Sequence, residues 1–156
     1  MDESTRRWAR AVLAIIGLAG AEVSAWALIA PKHFYEHFPG GGRQWLTALP
    51  PYNEHLLRDY AAGVFAVTVL ALWAAMAGDR RLVQAALVAS AALAAPHIAY
   101  HLTTIDSYGV ADNVASFATL GFSFVAPVVL LAFMARDRRA RGPSPGSRDR
   151  VEVAAP

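Results

Sequence analysis

Four long apolar runs, separated by short polar segments, decide what this chain can fold into. The runs cover residues 11–30, 53–77, 82–104 and 112–135, and the second is polar over its first two turns. About 20 apolar residues in a helix cross the roughly 30 Å of hydrocarbon in a bilayer. The pattern therefore predicts an all-α protein, a bundle of four antiparallel transmembrane helices.

Composition supports a membrane protein and excludes several kinds of site. Hydrophobic residues make up 56% of the chain and charged residues only 17%, below the roughly one quarter of a typical soluble domain. There is no cysteine, which excludes disulfides, thiolate metal sites and cysteine nucleophiles. Membrane topology accounts for the small net positive charge, so we expect no nucleic-acid partner.

Basic residues at the ends of the runs predict the orientation of the chain. Residues 1–10, the turn at Arg80 and Arg81, and residues 136–156 are rich in arginine, whereas the other two loops are nearly free of it. Positively charged segments stay in the cytoplasm. We therefore predict a cytoplasmic N-terminus (1–10), a domain in the cell membrane (11–135) and a disordered cytoplasmic tail (136–156). The first run is longer than a signal-peptide core, so we interpret it as a retained helix.

Ionisable residues gather at one end of the predicted bundle, the outer end. The histidines and nearby charged residues at this end are His33, Glu36, His37, Glu54, His55, Arg58, Asp59, His97, His101, Asp106 and Asp112. Glu22 lies within the first run, past its middle and towards the same end. Hydrocarbon disfavours charge, so an ionisable residue inside a membrane segment is a functional candidate. This asymmetry predicts one polar pocket that opens towards the outer leaflet.

Helical spacing groups these residues further. His97 and His101 are four residues apart, which places both rings on one face of a helix. Two more pairs share this spacing: Glu54 with Arg58, and His55 with Asp59. A stripe of Asp112, Ser116, Thr119 and Ser123 follows one face of the fourth helix. Such a stripe also suits contacts between helices.

We predict a pocket lined by four candidate catalytic and five candidate ligand-binding residues. The catalytic candidates are Glu22, Asp59, His97 and His101. The ligand-binding candidates are Glu54, His55, Arg58, Tyr100 and Asp112. Simpler interpretations stay open, because Asp112 suits a helix N-cap and residues 54–58 suit the membrane interface. A buried ion pair, such as Glu22 with Arg58, would serve structure alone.

The histidine pair by itself is a weak signal for metal. Two imidazoles at this spacing can bind one ion, but the glutamate of the metalloprotease motif HExxH is absent. Ligands on one face of one helix also cannot take both axial positions of a haem. We predict no metal site, and the pattern names no cofactor.

Three short motifs give the chain a family resemblance. They are Phe38-Pro39-Gly40, the segment PYNEHLLRD at 51–59 and the segment PHIAYH at 96–101. On these motifs, residues 31–127 resemble a group of small four-helix integral membrane proteins of actinobacteria. The four-span layout is also loosely similar to the DoxX-like and EXPERA-type families, although neither full motif is present. The likeness to DoxX-like proteins implies quinone or redox chemistry. The likeness to EXPERA-type proteins implies an isomerase with acidic residues in an intramembrane pocket.

Three functions follow as hypotheses. The first is a protein that binds a lipophilic small molecule, of quinone or isoprenoid type, as a binding protein or redox accessory. The second is an acid–base enzyme, an isomerase, cyclase or hydrolase, that acts on an apolar substrate. The third is a structural subunit of a membrane complex. The expected partners are the lipid bilayer and a lipophilic small molecule, and a homo-oligomer stays open.

Overall fold

The computed structural model describes residues 1–49 and 51–140, and these residues are mostly helical. The elements are α1 (Glu3–Ile29), α2 (Pro31–His37), β1 (Pro39–Gly40), β2 (Arg43–Gln44), α3 (Glu54–Ala77), α4 (Arg80–Thr103) and α5 (Val110–Ala140), with one 3₁₀ turn at Ile105–Ser107. Four of these helices, α1, α3, α4 and α5, are long and apolar enough to cross a membrane. The prediction of a helical protein with four such segments is confirmed.

Side-chain caps set the first residues of three long helices. The Asp2 carboxylate accepts a hydrogen bond from the Thr5 amide at 2.7 Å, so α1 begins near the N-terminus and not at residue 11. Asn53 caps α3 through the Leu56 amide at 3.0 Å, and Asp79 caps α4 through the Leu82 amide at 2.9 Å. Each cap satisfies an amide that has no partner within its helix.

The end of α5 also differs from the predicted boundary. The predicted disordered tail starts at residue 136, whereas α5 continues to Ala140. The rest of that predicted tail, residues 141–156, lies outside the described residues.

The connection between α1 and α3 contains structure that hydropathy does not signal. Pro31 opens α2, where a missing amide hydrogen costs nothing, and Phe34 on α2 packs edge-on against Trp26 with ring centroids 5.3 Å apart. A short hairpin follows, in which β1 pairs with β2. Its turn uses glycines with positive φ, among them Gly41 at 64° and Gly42 at 79°. This connection therefore folds back over one end of the bundle.

Small residues let α1 lie close to α3. A methyl group added at Gly17 would lie 2.6 Å from Cδ2 of Leu72, and one added at Gly20 would overlap the hydroxyl oxygen of Thr68. Close approach of this kind favours van der Waals packing between membrane helices. The remaining long helices complete the bundle, with α4 packed mainly on α5.

Two apolar clusters stabilise opposite parts of the bundle. The larger cluster includes Leu13, Ala71, Val83, Leu87 and Met134. The smaller cluster consists of Ala27, Phe34 and Ala61, with Trp26, Leu46 and Leu57 packed around it. The smaller cluster supports the end of the bundle that carries the histidines, which we name the histidine end (residues 28–60 and 97–113).

Arginines connect the opposite end, which we name the arginine end (residues 1–10, 75–82 and 134–140). The Arg10 guanidinium donates to the Ala75 carbonyl at 2.6 Å, and the Arg80 guanidinium donates to the Met134 carbonyl at 3.1 Å. The Ala75 carbonyl lies in the last turn of α3, so Arg10 satisfies it and interacts favourably with the helix dipole, whereas the Met134 carbonyl lies within α5 and Arg80 there connects α4 to α5.

Candidate functional site

Two imidazole rings meet near the C-terminus of α4. Nε2 of His97 lies 3.2 Å from Nε2 of His101, and the ring centroids are 4.9 Å apart. Both residues are partly buried. The spacing of four residues within a helix produces this contact, because residues i and i+4 lie one above the other. The pair is the centre of the candidate site.

A tyrosine from α3 extends the pair. The Tyr60 hydroxyl lies 3.4 Å from Nδ1 of His97, a long hydrogen bond, and the two rings meet edge to face at 5.8 Å. Tyr60 was not among the residues predicted for the site. Its neighbour Asp59 was predicted, and it points elsewhere on α3. The structure therefore contributes a phenol to the histidines where the sequence analysis expected a carboxylate.

The three side chains form one directional hydrogen-bonded chain. A neutral imidazole carries its hydrogen on one nitrogen and accepts on the other. If the Tyr60 hydroxyl donates to Nδ1 of His97, then Nε2 of His97 carries hydrogen and donates to Nε2 of His101. Nδ1 of His101 then carries the last hydrogen and has it free to donate. In the reverse order, Nε2 of His101 donates to Nε2 of His97, and Nδ1 of His97 donates to the Tyr60 hydroxyl oxygen. Both orders satisfy each contact.

Two aromatic residues lie near His101, Tyr108 from the α4–α5 connection and Phe117 from α5. The ring of Tyr108 lies 5.9 Å from that of His101, and the ring of Phe117 lies 6.4 Å from it. Both aromatic residues also line an open groove of about 820 Å³, whose walls are largely apolar. The lining residues are Ile105, Asp106, Tyr108, Val110, Asn113, Val114, Phe117 and Ala118. The hydrogen-bonded chain thus ends near an open, largely apolar groove, two of whose lining residues, Tyr108 and Phe117, lie close to His101, which does not itself line the groove.

Asp112 holds the loop before α3 against the start of α5. Its carboxylate accepts from the Trp45 indole at 2.9 Å and lies 3.4 Å from the Arg43 guanidinium. The Tyr108 hydroxyl adds a bond to the Trp45 carbonyl at 3.0 Å. The interpretation of Asp112 as an N-cap is wrong, because α5 begins earlier, at Val110, and the carboxylate is used between segments. Asp112 is a clamp beside the groove and does not line it.

Burial changes the acidity of the tyrosine in this clamp. Removal from water raises the pKa of Tyr108, since the phenolate form loses more solvation than the phenol, and the nearby Tyr100 adds to the rise. Tyr108 therefore keeps its hydroxyl hydrogen for the bond to the Trp45 carbonyl.

The polar start of α3 forms ion pairs within its own helix. Nε2 of His55 lies 3.4 Å from the Asp59 carboxylate, and both side chains are well exposed. The Arg58 guanidinium binds the Glu54 carboxylate at 2.9 Å. It also donates to the Leu28 carbonyl at 2.6 Å, which connects α3 to the end of α1. These four candidates lie at the histidine end, and their contacts do not include His97 or His101.

Glu22 lies on the side of α1 that faces away from α3. The buried side of α1 carries Leu13, Gly17 and Ser24, and Glu22 is exposed on the opposite side. Among the described residues, the Glu22 carboxylate has no hydrogen-bond or ion-pair partner. The structure does not bring Glu22 to the histidines.

Among the described residues, Tyr100 and the two histidines of α2 form no side-chain hydrogen bond with the pair. The side chain of Tyr100 is 53% exposed, although its ring is 6.4 Å from that of His101. On α2, His33 accepts from the Trp26 indole at 2.9 Å and stacks on His37 at 4.3 Å. Within residues 1–49 and 51–140, no group of three or more His, Cys, Asp or Glu side chains is placed to share an ion. The described histidine pair supplies two nitrogen ligands, whereas a structural zinc takes four.

Family models, curated proteins and solved structures were all compared with the chain, and none of them matches it.

Proposed function

We propose that the chain is a multi-pass protein of the cell membrane, with four antiparallel spans and both termini in the cytoplasm. Contacts between α1 and α3 support the antiparallel order, since Arg10 meets Ala75 near one end and Leu28 meets Arg58 near the other. The arginine end, which the positive-inside rule assigns to the cytoplasm, supports the orientation. On this arrangement the histidine end faces the outer leaflet.

At the histidine end, we propose a site that binds the polar head of a lipophilic small molecule of quinone type. One observation carries the proposal: the chain from Tyr60 through His97 to His101 ends near an apolar groove. A quinone presents two carbonyl oxygens that accept hydrogen bonds and an apolar ring and tail. Nδ1–H of His101 is a suitable donor, and Phe117 offers an aromatic surface.

The hydrogen-bonded chain suits a redox accessory better than a simple lipid site. A quinone takes up two protons when it is reduced by two electrons. For each proton that His101 gives to the quinone, one proton moves from His97 to His101 and one from Tyr60 to His97, and the partly exposed Tyr60 hydroxyl takes up a replacement from water. The electrons would come from a separate reductant, so the role proposed for this protein is to hold the quinone and pass a proton. Membership in the actinobacterial four-helix group is part of the same proposal, and it is supported by the motifs at 51–59 and 96–101.

The acid–base enzyme hypothesis has less geometric support. It assigned proton donation to Glu22 or Asp59 with a neighbouring histidine as acceptor. Asp59 pairs with His55, and Glu22 faces away from the bundle. We therefore propose the quinone-binding and redox-accessory role and not the enzyme.

A quinone titration tests the site. The full chain is reconstituted in lipid nanodiscs, and tryptophan quenching is followed as a short-tailed benzoquinone is added. We expect saturable binding that His101→Ala weakens by about 5- to 100-fold, because a buried hydrogen bond is lost. Tyr60→Phe, which keeps the ring and removes the hydroxyl, should weaken binding by a smaller factor.

The matched control is His55→Ala, which removes an exposed histidine from the same end of the bundle. Its quinone affinity should equal that of the unaltered protein. Equal affinity in His101→Ala and His55→Ala, or quenching that does not saturate, would overturn the proposed site.

A further inference from the structure

The side of α1 that faces away from α3 carries a regular stripe of exposed residues. The stripe consists of Ala11, Ile15, Leu18, Glu22, Ala25 and Ile29. Successive members are alternately four and three residues apart, the heptad spacing by which two helices pack along a shared seam. The apolar members are strongly exposed, with Leu18 at 66% and Ile29 at 83%. No described element of the protein covers this side of the helix.

One member of the stripe is poorly suited to lipid. Glu22 lies seven residues before Ile29, so it is about 10 Å along the helix from its end and within the apolar run. Hydrocarbon offers a carboxyl group no hydrogen-bond partner, and an isolated one there is costly. Such residues face a partner helix or a wet cavity. The exposed side of α1 therefore needs a polar partner at this depth.

We propose that the partner is α1 of a second copy of this chain, packed along the same stripe in a two-fold symmetric dimer. In a two-fold interface, residues near the axis meet their own counterparts. Two carboxyl groups that meet can share a hydrogen, so Glu22 and the partner's Glu22 give each other the hydrogen-bond partner that hydrocarbon lacks. This makes the stripe complementary to itself.

The neighbours of Glu22 in the stripe fit the same arrangement. Ala25 is small and lies one turn towards the histidine end, so the two backbones can approach there. Leu18, one turn in the other direction, offers apolar packing. A single polar residue in an otherwise apolar seam also fixes the register and the number of helices in the assembly. The interface is separate from the histidine site: it rests on the proposed membrane location and not on the proposed quinone site.

Cysteine crosslinking in native membranes tests the dimer, because the chain has no cysteine of its own. Ala25→Cys places one thiol on the stripe beside Glu22. The matched control, Ala62→Cys, places a thiol on the exposed side of α3 at a similar depth, since Leu28 contacts Arg58 and Gly20 lies against Thr68. With a mild oxidant, we expect a disulfide-linked dimer from Ala25→Cys and only monomer from Ala62→Cys.

A second pair of variants tests the carboxyl group itself in the Ala25→Cys background. Glu22→Leu removes the hydrogen bonds and should weaken association by about 3- to 30-fold, the range for polar contacts between membrane helices. Glu22→Gln keeps one donor and one acceptor and should retain the dimer. Both variants face lipid in the monomer, so their insertion and helicity should match those of the unaltered chain.

Several results would overturn this inference. One is equal crosslinking of Ala25→Cys and Ala62→Cys, which would indicate random collision. Another is crosslinking of Ala25→Cys to a different protein, and a third is a dimer that Glu22→Leu leaves unchanged.

Discussion

Tyr60 and Asp59 differ in role because adjacent residues on a helix point about 100° apart. The phenol of Tyr60 reaches His97, whereas the carboxylate of Asp59 pairs with His55 on the same helix. In the sequence, Asp59 is the stronger candidate of the two, because a carboxylate in an apolar helix is chemically unusual. A tyrosine in the same turn is common at membrane interfaces and gives no signal of its own.

The His97–His101 contact could be predicted because it depends only on spacing within one helix. Tyr60 and Tyr108 could not be assigned, because each reaches the pair from another segment, and their contacts depend on the rotation of α3 and the path of the α4–α5 connection. Hydropathy fixes neither. For the same reason the prediction that Glu22 lines the pocket could not be checked from the sequence: α1 is oriented so that Glu22 lies on the side opposite its buried residues.

The raised pKa of Tyr108 predicts how the stability of the protein depends on pH. The folded protein holds the phenol proton more tightly than the unfolded chain, so the contribution of this group to stability is fully present below the ordinary tyrosine value of about 10. It is lost as the pH rises from that value through the raised one. The difference in stability between the unaltered protein and Tyr108→Phe should therefore be constant at neutral pH and shrink above about pH 10.

Unfolding in detergent micelles at a series of pH values measures this difference. Tyr35→Phe is the control for general effects of alkali, because Tyr35 lies on α2, in the connection between α1 and α3. A difference that stays constant up to strongly alkaline pH would contradict the assignment of Tyr108 as a buried hydrogen-bond donor to Trp45.

At the scale of elements, the four long helices could be predicted from the sequence, but the segments between them could not. The long helices follow from continuous hydropathy, and caps such as Asn53 and Asp79 set their first residues. The seven residues of α2 and the two-residue strands β1 and β2 are too short to give a periodic signal. Their positions depend on tertiary contacts, such as that of Phe34 with Trp26.

The contact between α1 and α3 makes a prediction about glycine. Gly20→Ala adds a methyl group against Thr68, which is buried, so α1 must move away and packing is lost. We expect Gly20→Ala to destabilise the fold by about 1–3 kcal/mol, the usual cost of overpacking. Gly17→Ala, against the flexible side chain of Leu72, should cost less.

Gly63→Ala is the matched control, because nothing lies within 4 Å of a methyl group added there. It should leave the stability unchanged or raise it by up to about 1 kcal/mol, since alanine favours helix. Reversible unfolding in mixed micelles compares the three variants. If Gly20→Ala proves as stable as Gly63→Ala, the result would contradict a close contact between α1 and α3 at Gly20.

At the scale of the whole molecule, each end of the bundle is held by a different kind of contact. The arginine end uses guanidinium groups on helix carbonyls, together with the Asp2 amide, which donates to Asp137 at 3.2 Å. The histidine end uses a folded connection held by Asp112 and Tyr108. This division agrees with a protein whose arginine end is mainly structural and whose histidine end holds the candidate site.

The orientation of these two ends is the last prediction, and it can be measured with single cysteines in the cysteine-free chain. Ala48→Cys places a thiol at an exposed position of the histidine end, and Ser4→Cys places one at an exposed position of the arginine end. Because arginine-rich segments remain in the cytoplasm, a membrane-impermeant maleimide added to intact cells should label Ala48→Cys and leave Ser4→Cys unlabelled. Permeabilised cells should label both, which shows that each thiol is accessible. Labelling of Ser4→Cys in intact cells would reverse the orientation and place the histidine pair and its groove at the cytoplasmic surface, where a quinone would be reached from the inner leaflet.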